Sequence, residues 1–240
     1  MQCRYPADSS GAWTWLLERS RSPDAGPPPV PLDEDAAQLL ELFLPLMEVR
    51  CFAHLAQSLD GRIALPDGES HWISGFGDIE HTHRLRAVAD AVVVGAETIV
   101  HDDPLLTVRH VPGPHATRVV LDPRGRVPAR SKVFNSEAPT LVVGPGRDLD
   151  LGSEVSPEHL LAALAERGLN RVFIEGGGIT VSRFMRAGCL DRLHLAVAPV
   201  LLGRGRPSLN LDLGPLGDCP RPAMRRYSLG EDLLYDIELS

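Results

Sequence analysis

The sequence lacks the features that hold an extracellular or metal-bound scaffold together. Its four cysteines, Cys3, Cys51, Cys189 and Cys219, lie far apart, and none is paired as Cys-x-x-Cys. That spacing argues against a zinc ribbon or a disulfide framework and for a reducing cytoplasm, with each cysteine a small buried apolar residue. Long apolar runs are missing too. Ala91–Gly95 and Leu195–Leu202, the latter broken by Pro199, fall short of the about 20 residues that a membrane span needs. No apolar stretch follows Met1–Tyr5, so no secretory signal is expected. Positive charge is in deficit: 24 basic against 32 acidic residues gives a net charge of -8. An acidic chain repels phosphate backbones, so nucleic acid is not expected as a partner, and without a spanning run neither is a membrane. Clustered arginines can still hold a small phosphorylated ligand. None of the nine histidines is followed two residues later by Glu, and no cysteine pair exists, so zinc-dependent deamination is excluded and no metal site is expected.

What is present is ordinary globular material. The chain has 240 residues, 43% of them hydrophobic and 23% charged. Such a chain folds, and its length fits one domain or a domain plus an extension. Residues 1–48 read as an N-terminal extension and 49–240 as the main domain. In the extension, Ser22–Pro31 is a Pro-rich linker. Trp13 and Trp15 precede it, and Asp33-Glu34-Asp35 opens a helix that Pro45 is expected to end or bend. Two of the three tryptophans sit in this arm. They are costly to leave bare, so the arm should pack on the main domain or on a partner subunit.

From Arg50 onward, strands alternate with helices. Cys51–Gln57, Ala91–Gly95, Thr117–Asp122, Thr140–Gly144, Arg171–Ile174 and Asp191–Ala198 read as strands, several of them apolar on both faces. Asp78–Val88, Pro157–Arg167 and Ile179–Ala187 read as helices. Ser156 is the expected N-cap before Pro157, and Gly168 the C-terminal glycine. Met224–Ser228 and Leu233–Leu239 should close the sheet as an antiparallel edge pair. The expected fold class is α/β, with a mixed, mostly parallel central sheet flanked by helices and closed by antiparallel strands.

Several constellations could carry chemistry. Ile174-Glu175-Gly176-Gly177-Gly178-Ile179 places an acidic residue and three glycines between a buried strand and a helix, a geometry suited to an anion. It also reads as a plain tight turn. Asp102-Asp103-Pro104-Leu105-Leu106-Thr107-Val108-Arg109 follows Ala91–Gly95 and so lies at the carboxyl edge of the sheet, where α/β proteins bind ligands. Trp72, in a loop, could stack on a flat ring or pack in a core. His81 and His83 are read as solvated helix residues. Arg84, Arg86, Arg109, Arg118, Arg124 and Arg126 bracket the edge loops and as a set suggest a phosphorylated ligand.

Eight segments in order resemble one family. They are Ser58–Ala64 (SLDGRIA), Gly68–Ser74 (GESHWIS), His83–Ala87 (HRLRA), Asp90–Thr98 (DAVVVGAET), Asp102–Arg109 (DDPLLTVR), Arg118–Pro123 (RVVLDP), Ile174–Gly178 (IEGGG) and Ala198–Gly203 (APVLLG). From about Val49 to the C-terminus the chain resembles the reductase domain of the bifunctional riboflavin-biosynthesis deaminase/reductase. The resemblance implies a dihydrofolate-reductase-like fold, commonly a homodimer. It also implies NADPH-dependent reduction of a phosphoribosylamino-pyrimidine to its ribitylamino form, with hydride delivered to C1′ of the ribose. Carried over by position, His54, Ser70, Arg86, Leu106, Arg109 and Glu175 would meet the substrate, with Arg86 and Arg109 as phosphate clamps. Ala56, Trp72, Thr98, Asp102, Pro123, Gly177, Gly178, Ile179, Thr180, Val181, Ser182 and Arg183 would meet NADPH. No catalytic residue is singled out.

Two departures stand out. The zinc deaminase domain that precedes the reductase in bifunctional members has no counterpart here, which leads us to expect a stand-alone reductase. Those members also commonly carry Lys four residues before the Ser of Ser-Leu-Asp-Gly, where this chain has His54. That difference leaves open the pyrimidinedione, the pyrimidinone or another heterocycle as substrate. A dihydrofolate-reductase-like enzyme of other metabolism, or a nucleotide-binding module without catalysis, would share most of the same residues.

Overall fold

The structure is a computed structural model that describes residues 11–22, 24–28 and 33–240. Cys3 and part of the Pro-rich linker lie outside the described residues. Among the described residues ten strands are formed: β1 (Cys51–Ser58), β2 (Arg62–Ala64), β3 (Ala91–Gly95), β4 (Thr117–Leu121), β5 (Thr140–Val143), β6 (Val172–Glu175), β7 (Arg192–Ala198), β8 (Arg206–Pro207), β9 (Met224–Leu229) and β10 (Asp232–Glu238). The helices are α1 (Ala12–Arg21), α2 (Glu34–Met47), α3 (Phe76–Val88), α4 (Ala96–Asp102), α5 (Pro157–Ala165) and α6 (Gly178–Arg186).

Eight strands form the central sheet in the order β5-β4-β3-β6-β1-β7-β10-β9. The six from β5 to β7 are parallel, and β10 runs antiparallel to both β7 and β9. The expected α/β architecture with an antiparallel edge pair is therefore what the chain forms. A small antiparallel pair, β2 with β8, stands apart from the main sheet.

Period-2 alternation splits the core into two layers. Phe52, Val92, Val94, Phe173, Ala196 and Leu234 face α1, α2 and α3. Cys51, Ala53, Leu55, Val93, Ile174 and Leu193 face α5 and α6. Phe52 and Phe173 stack on neighbouring strands with ring centroids 5.2 Å apart. Truncating one such fully buried side chain to Ala costs about 3–5 kcal/mol.

The helix ends follow local chemistry. Asp33 caps α2 by accepting from the Ala36 N–H at 2.7 Å, and Ser156 caps α5 by accepting from His159 N–H at 3.2 Å. Gly168 takes a φ of +77° after α5. Pro45 does not end α2, which runs two residues further to Met47. Its missing N–H falls in the last turn, where only one intrahelical bond is forfeited. α3 begins at Phe76 rather than Asp78 because the carboxylate of Asp232 accepts from the Gly75 N–H at 2.7 Å. That cap comes from 157 residues away. The arm packs inward: Trp13 is buried against Phe43, edge to face at 5.5 Å, and its indole N–H donates to the Pro112 carbonyl at 2.8 Å.

Candidate active site

All six parallel strands end at one edge, which carries the loops 67–75, 95–109, 122–127 and 175–178. Glu175 closes β6 there. Arg86 on α3 donates to it in a bidentate fork, Nε to Oε2 at 2.6 Å and Nη2 to Oε1 at 2.5 Å. The remaining Nη1 donates to the Thr107 carbonyl at 2.9 Å. Arg86 is thus fully engaged in holding Glu175, and the structure does not present it as a free phosphate clamp. Arg109, by contrast, is exposed beside Thr107 and donates to the Thr107 hydroxyl at 3.0 Å. Burial and the neighbouring Arg86 hold its guanidinium below the usual arginine range.

The other arginines divide by partner. Arg118 is fully buried and ties Asn135, Ala138 and Thr140 to β4, so it is structural rather than an edge ligand. Arg84 is buried with its guanidinium over the Trp13 ring. Arg126 pairs with Glu97 on α4, and Arg124 is exposed.

The glycine corner has two jobs. Gly176 and Gly177 take φ of +70° and +69°, a region closed to most side chains. The hydroxyls of Thr98 and Thr180 flank the pair, 3.8 and 3.5 Å from where a Cβ at Gly177 would sit. Gly177 caps α6 without any side-chain hydrogen bond, so the first helical N–H groups face the edge. Gly178 serves packing instead: a Cβ there would overlap the Ser208 carbonyl oxygen. Within α6 the expected cofactor residues divide. Ile179 is 70% exposed, Thr180 half-buried and Arg183 exposed, whereas Val181 and Ser182 are fully buried. The Ser182 hydroxyl accepts from the Asn210 N–H at 2.9 Å.

Trp72 is 82% exposed and takes a φ of +67°. Leu106 and Asp103 are the other described non-glycine residues with positive φ, at +55° and +41°. All three lie in edge loops, each conformation costing on the order of 1–3 kcal/mol. Asp102 is half-buried, and burial pushes its carboxyl above the usual range. Ser70, Ala56 and Pro123 are half-buried around the same edge. The Ser58-Leu59-Asp60-Gly61 turn is a staple: Asp60 accepts from the Ser58 hydroxyl and from the Leu202 and Gly203 N–H groups. These bonds lower its pKa to about 2.

His54 sits in the wall rather than at the open surface, 5% exposed. Its strand register places it beside Glu175 on β6 and His194 on β7. The reading of His81 and His83 as solvated is overturned, since both are buried, at 0% and 2% exposure. α3 is covered on more than one side, so helical position alone could not show it. His83 accepts the Arg109 N–H at 2.9 Å, and burial with the nearby Arg86 and Arg109 lowers its pKa to about 3. Asp78, His194 and Asp236, buried in the same row as His54 and His81, carry no signal in the sequence.

The sequence profile of the RibD C-terminal domain matches residues 51–222. The chain belongs to the RibD C-terminal domain family. Within that family it is 34% identical over 204 residues to a Methanothermobacter thermautotrophicus protein named 2,5-diamino-6-ribosylamino-4(3H)-pyrimidinone 5′-phosphate reductase. That match covers 75% of this chain and 94% of the relative. It is 33% identical over 220 residues to the riboflavin biosynthesis protein RibD of Aquifex aeolicus, covering 84% of this chain and 62% of that one. The chain thus spans less than two thirds of the length of this RibD relative. A Thermotoga maritima structure titled as a diaminohydroxyphosphoribosylaminopyrimidine deaminase/5-amino-6-(5-phosphoribosylamino)uracil reductase superposes with a TM-score of 0.72 at 25% identity. It covers 86% of this chain and 62% of its own. The fold is of the dihydrofolate-reductase type.

Proposed function

We propose that this member of the RibD C-terminal family is an NADPH-dependent reductase of a phosphoribosylamino-pyrimidine in riboflavin biosynthesis. The observation that carries the reading is Glu175. It is a carboxylate held by a bidentate Arg86 at the carboxyl edge, set between the glycine corner and exposed Arg109. A fixed carboxylate accepts hydrogen bonds from an aminopyrimidine, and Arg109 meets the 5′-phosphate of the ribose. The residues present fit a dinucleotide phosphate: an uncapped α6 N-terminus, two left-handed glycines and two flanking threonine hydroxyls. Trp72 offers an open aromatic face for stacking. When bound, NADPH supplies the hydride that reaches C1′ of the ribose, while a proton goes to the ring oxygen or the bridging nitrogen. The chain's own part is placement: Glu175 and Arg109 fix the two ends of the substrate.

In this reading residues 49–240 form the reductase unit, and residues 1–48 are an extension whose helices cover one sheet face. The unit works as a homodimer. On the face of β7 and β10 away from α2, Leu195, Val197, Leu233 and Tyr235 are at most half-buried. Leu233 is 42% and the adjacent Leu201 71% exposed. Light scattering should give a dimer mass for the native chain and a monomer mass for Leu233→Asp. A native monomer contradicts the assignment.

The reductase reading is tested by single turnover with NADPH and each phosphoribosylamino-pyrimidine, aminated and deaminated. Loss of nicotinamide absorbance with a two-hydrogen mass gain in the sugar supports it. Tight NADPH binding without turnover of either pyrimidine contradicts the substrate assignment.

A further inference from the structure

A row of ionisable side chains crosses the sheet in register. Glu175 on β6, His54 on β1, His194 on β7 and Asp236 on β10 are direct neighbours. In-register neighbours share a face, so all four point toward α3. α3 lays Asp78 and His81 against them, three residues apart on one helical face. Except for Glu175, every member is at most 5% exposed.

The partners define the protonation states. His194 Nε2 faces Asp236 Oδ1 at 3.3 Å, and His194 Nδ1 lies 3.0 Å from His81 Nε2. A neutral His194 with its proton on Nε2 accepts from His81, and a neutral His81 then satisfies the pair. Burial, the first cause for both, holds these two rings below the ordinary histidine range. His54 differs. Its Nδ1 faces the His194 carbonyl at 3.0 Å and its Nε2 faces Asp78 Oδ1 at 3.0 Å. Two acceptors need two N–H donors, which only the imidazolium has. The Asp78 contact lies off the line of an ideal hydrogen bond, so charge holds the pair. The second oxygen of Asp78 accepts from the Ser74 hydroxyl at 2.7 Å, which fixes the carboxylate's orientation.

We infer that Asp78 is a positioning residue for the reaction: it keeps His54 as an imidazolium and so fixes a positive charge in the site wall beside Glu175. The inference rests on the reductase reading. The groups around His54 are few. α3 brings Asp78 and His81, β7 brings His194, and β6 brings Glu175, itself held by Arg86. Phe52 and Ala56, the same-face neighbours on β1, carry no charge. Burial alone would neutralise the ring. The charge of Asp78 is the largest opposing influence, followed by the His194 carbonyl and Glu175, and the net shift is upward.

The test combines an NMR titration with a pH profile of kcat/KM. In native protein labelled with 15N-histidine, His54 should be an imidazolium at pH 7, its signal assigned by its loss in His54→Gln. Asp78→Asn should make it neutral at pH 7. The alkaline limb of kcat/KM should then move down by the same number of pH units, while Glu80→Gln leaves both unchanged. His54→Lys is the second variant: a lysine stays charged to higher pH, so the limb should move up. A His54 that is neutral at pH 7 in native protein overturns the inference. So does an Asp78→Asn loss that is uniform across pH, or an unmoved limb in His54→Lys. Absence of turnover in the native chain overturns the reductase reading instead, and the NMR titration then decides the charge state alone.

Discussion

The rim of the site and its wall hold charge in opposite ways. At the rim, Arg109 is exposed, Trp72 is 82% exposed and the α6 N-terminus lacks a side-chain cap. In the wall, His54, Asp78, His81, His194 and Asp236 are closed to water and face one another, with Ser74 holding Asp78 and Arg192 holding Asp236 at the two ends. A rim of this kind answers to ligands, because its donors are incomplete without them. A wall of this kind answers to protons, because every group in it sets the charge of the next. Glu175 belongs to both: it ends β6 at the rim, while buried Arg86 and His54 hold it from the wall.

The largest effect should come from the group shared by both regions. Arg86→Ala leaves Glu175 without its bidentate partner in a mostly closed site, with side-chain exposures of 8% and 15%. Breaking such a pair should cost about 3–5 kcal/mol of stability, measurable as a fall in the urea midpoint. A loss under 1 kcal/mol would mean that water replaces Arg86, and Glu175 would then belong to the rim alone.

Next is the rim cation. Arg109→Ala should weaken the phosphorylated pyrimidine about 10–100-fold by loss of a charged hydrogen bond, about 1.5–3 kcal/mol, and leave NADPH affinity unchanged. Isothermal titration with each ligand separates the two, and equal losses would remove Arg109 from the substrate end.

The wall should show in the pH dependence of stability, with opposing signs. His81, His83 and His194 have depressed folded pKa values, against an ordinary value of 6.5. Between that value and the lower folded one the unfolded chain binds more protons, so stability falls as pH drops below 6.5. His54 is raised, so its contribution is complete below 6.5 and is lost as pH rises through the folded value. Three groups outweigh one, and each fully depressed group contributes about 1.4 kcal/mol per pH unit. Urea midpoints from pH 6.5 to 5.5 should therefore fall, and His83→Gln, which removes a group folded at about 3, should flatten the slope. An unchanged slope would mean that His83 gains its proton in the folded state.

The smallest effect is expected at the most exposed residue. Trp72→Ala should raise the NADPH KM only about 2–10-fold, the worth of one stacking contact. No change would place Trp72 outside the cofactor path.

Sequence and structure agree where chemistry is local. Apolar runs announced β3, β4 and β6, Ser156 and Pro157 announced α5, and the ordered segments from Ser-Leu-Asp-Gly to Ala-Pro-Val-Leu-Leu-Gly pointed to the family. Several site residues also stood in recognisable loops, Glu175 and Arg109 among them. The wall was hidden because its members are 24 to 182 positions from His54 in the chain and meet only through strand order and α3 packing. A histidine at a helix position looks solvated until the sheet beneath it is known. The role of Arg86 was hidden for the same reason: its partner Glu175 is 89 residues away. Backbone strain at Leu106 and Trp72 carries no residue-type signal, since neither favours positive φ.

Hydride delivery to the sugar can be followed by isotope transfer. NADPH deuterated at C4 of the nicotinamide would be reacted with the phosphoribosylamino-pyrimidine and the product examined by NMR and mass spectrometry. Deuterium is expected at C1′ of a ribityl chain. Deuterium on the pyrimidine ring, or none in the product, would contradict it.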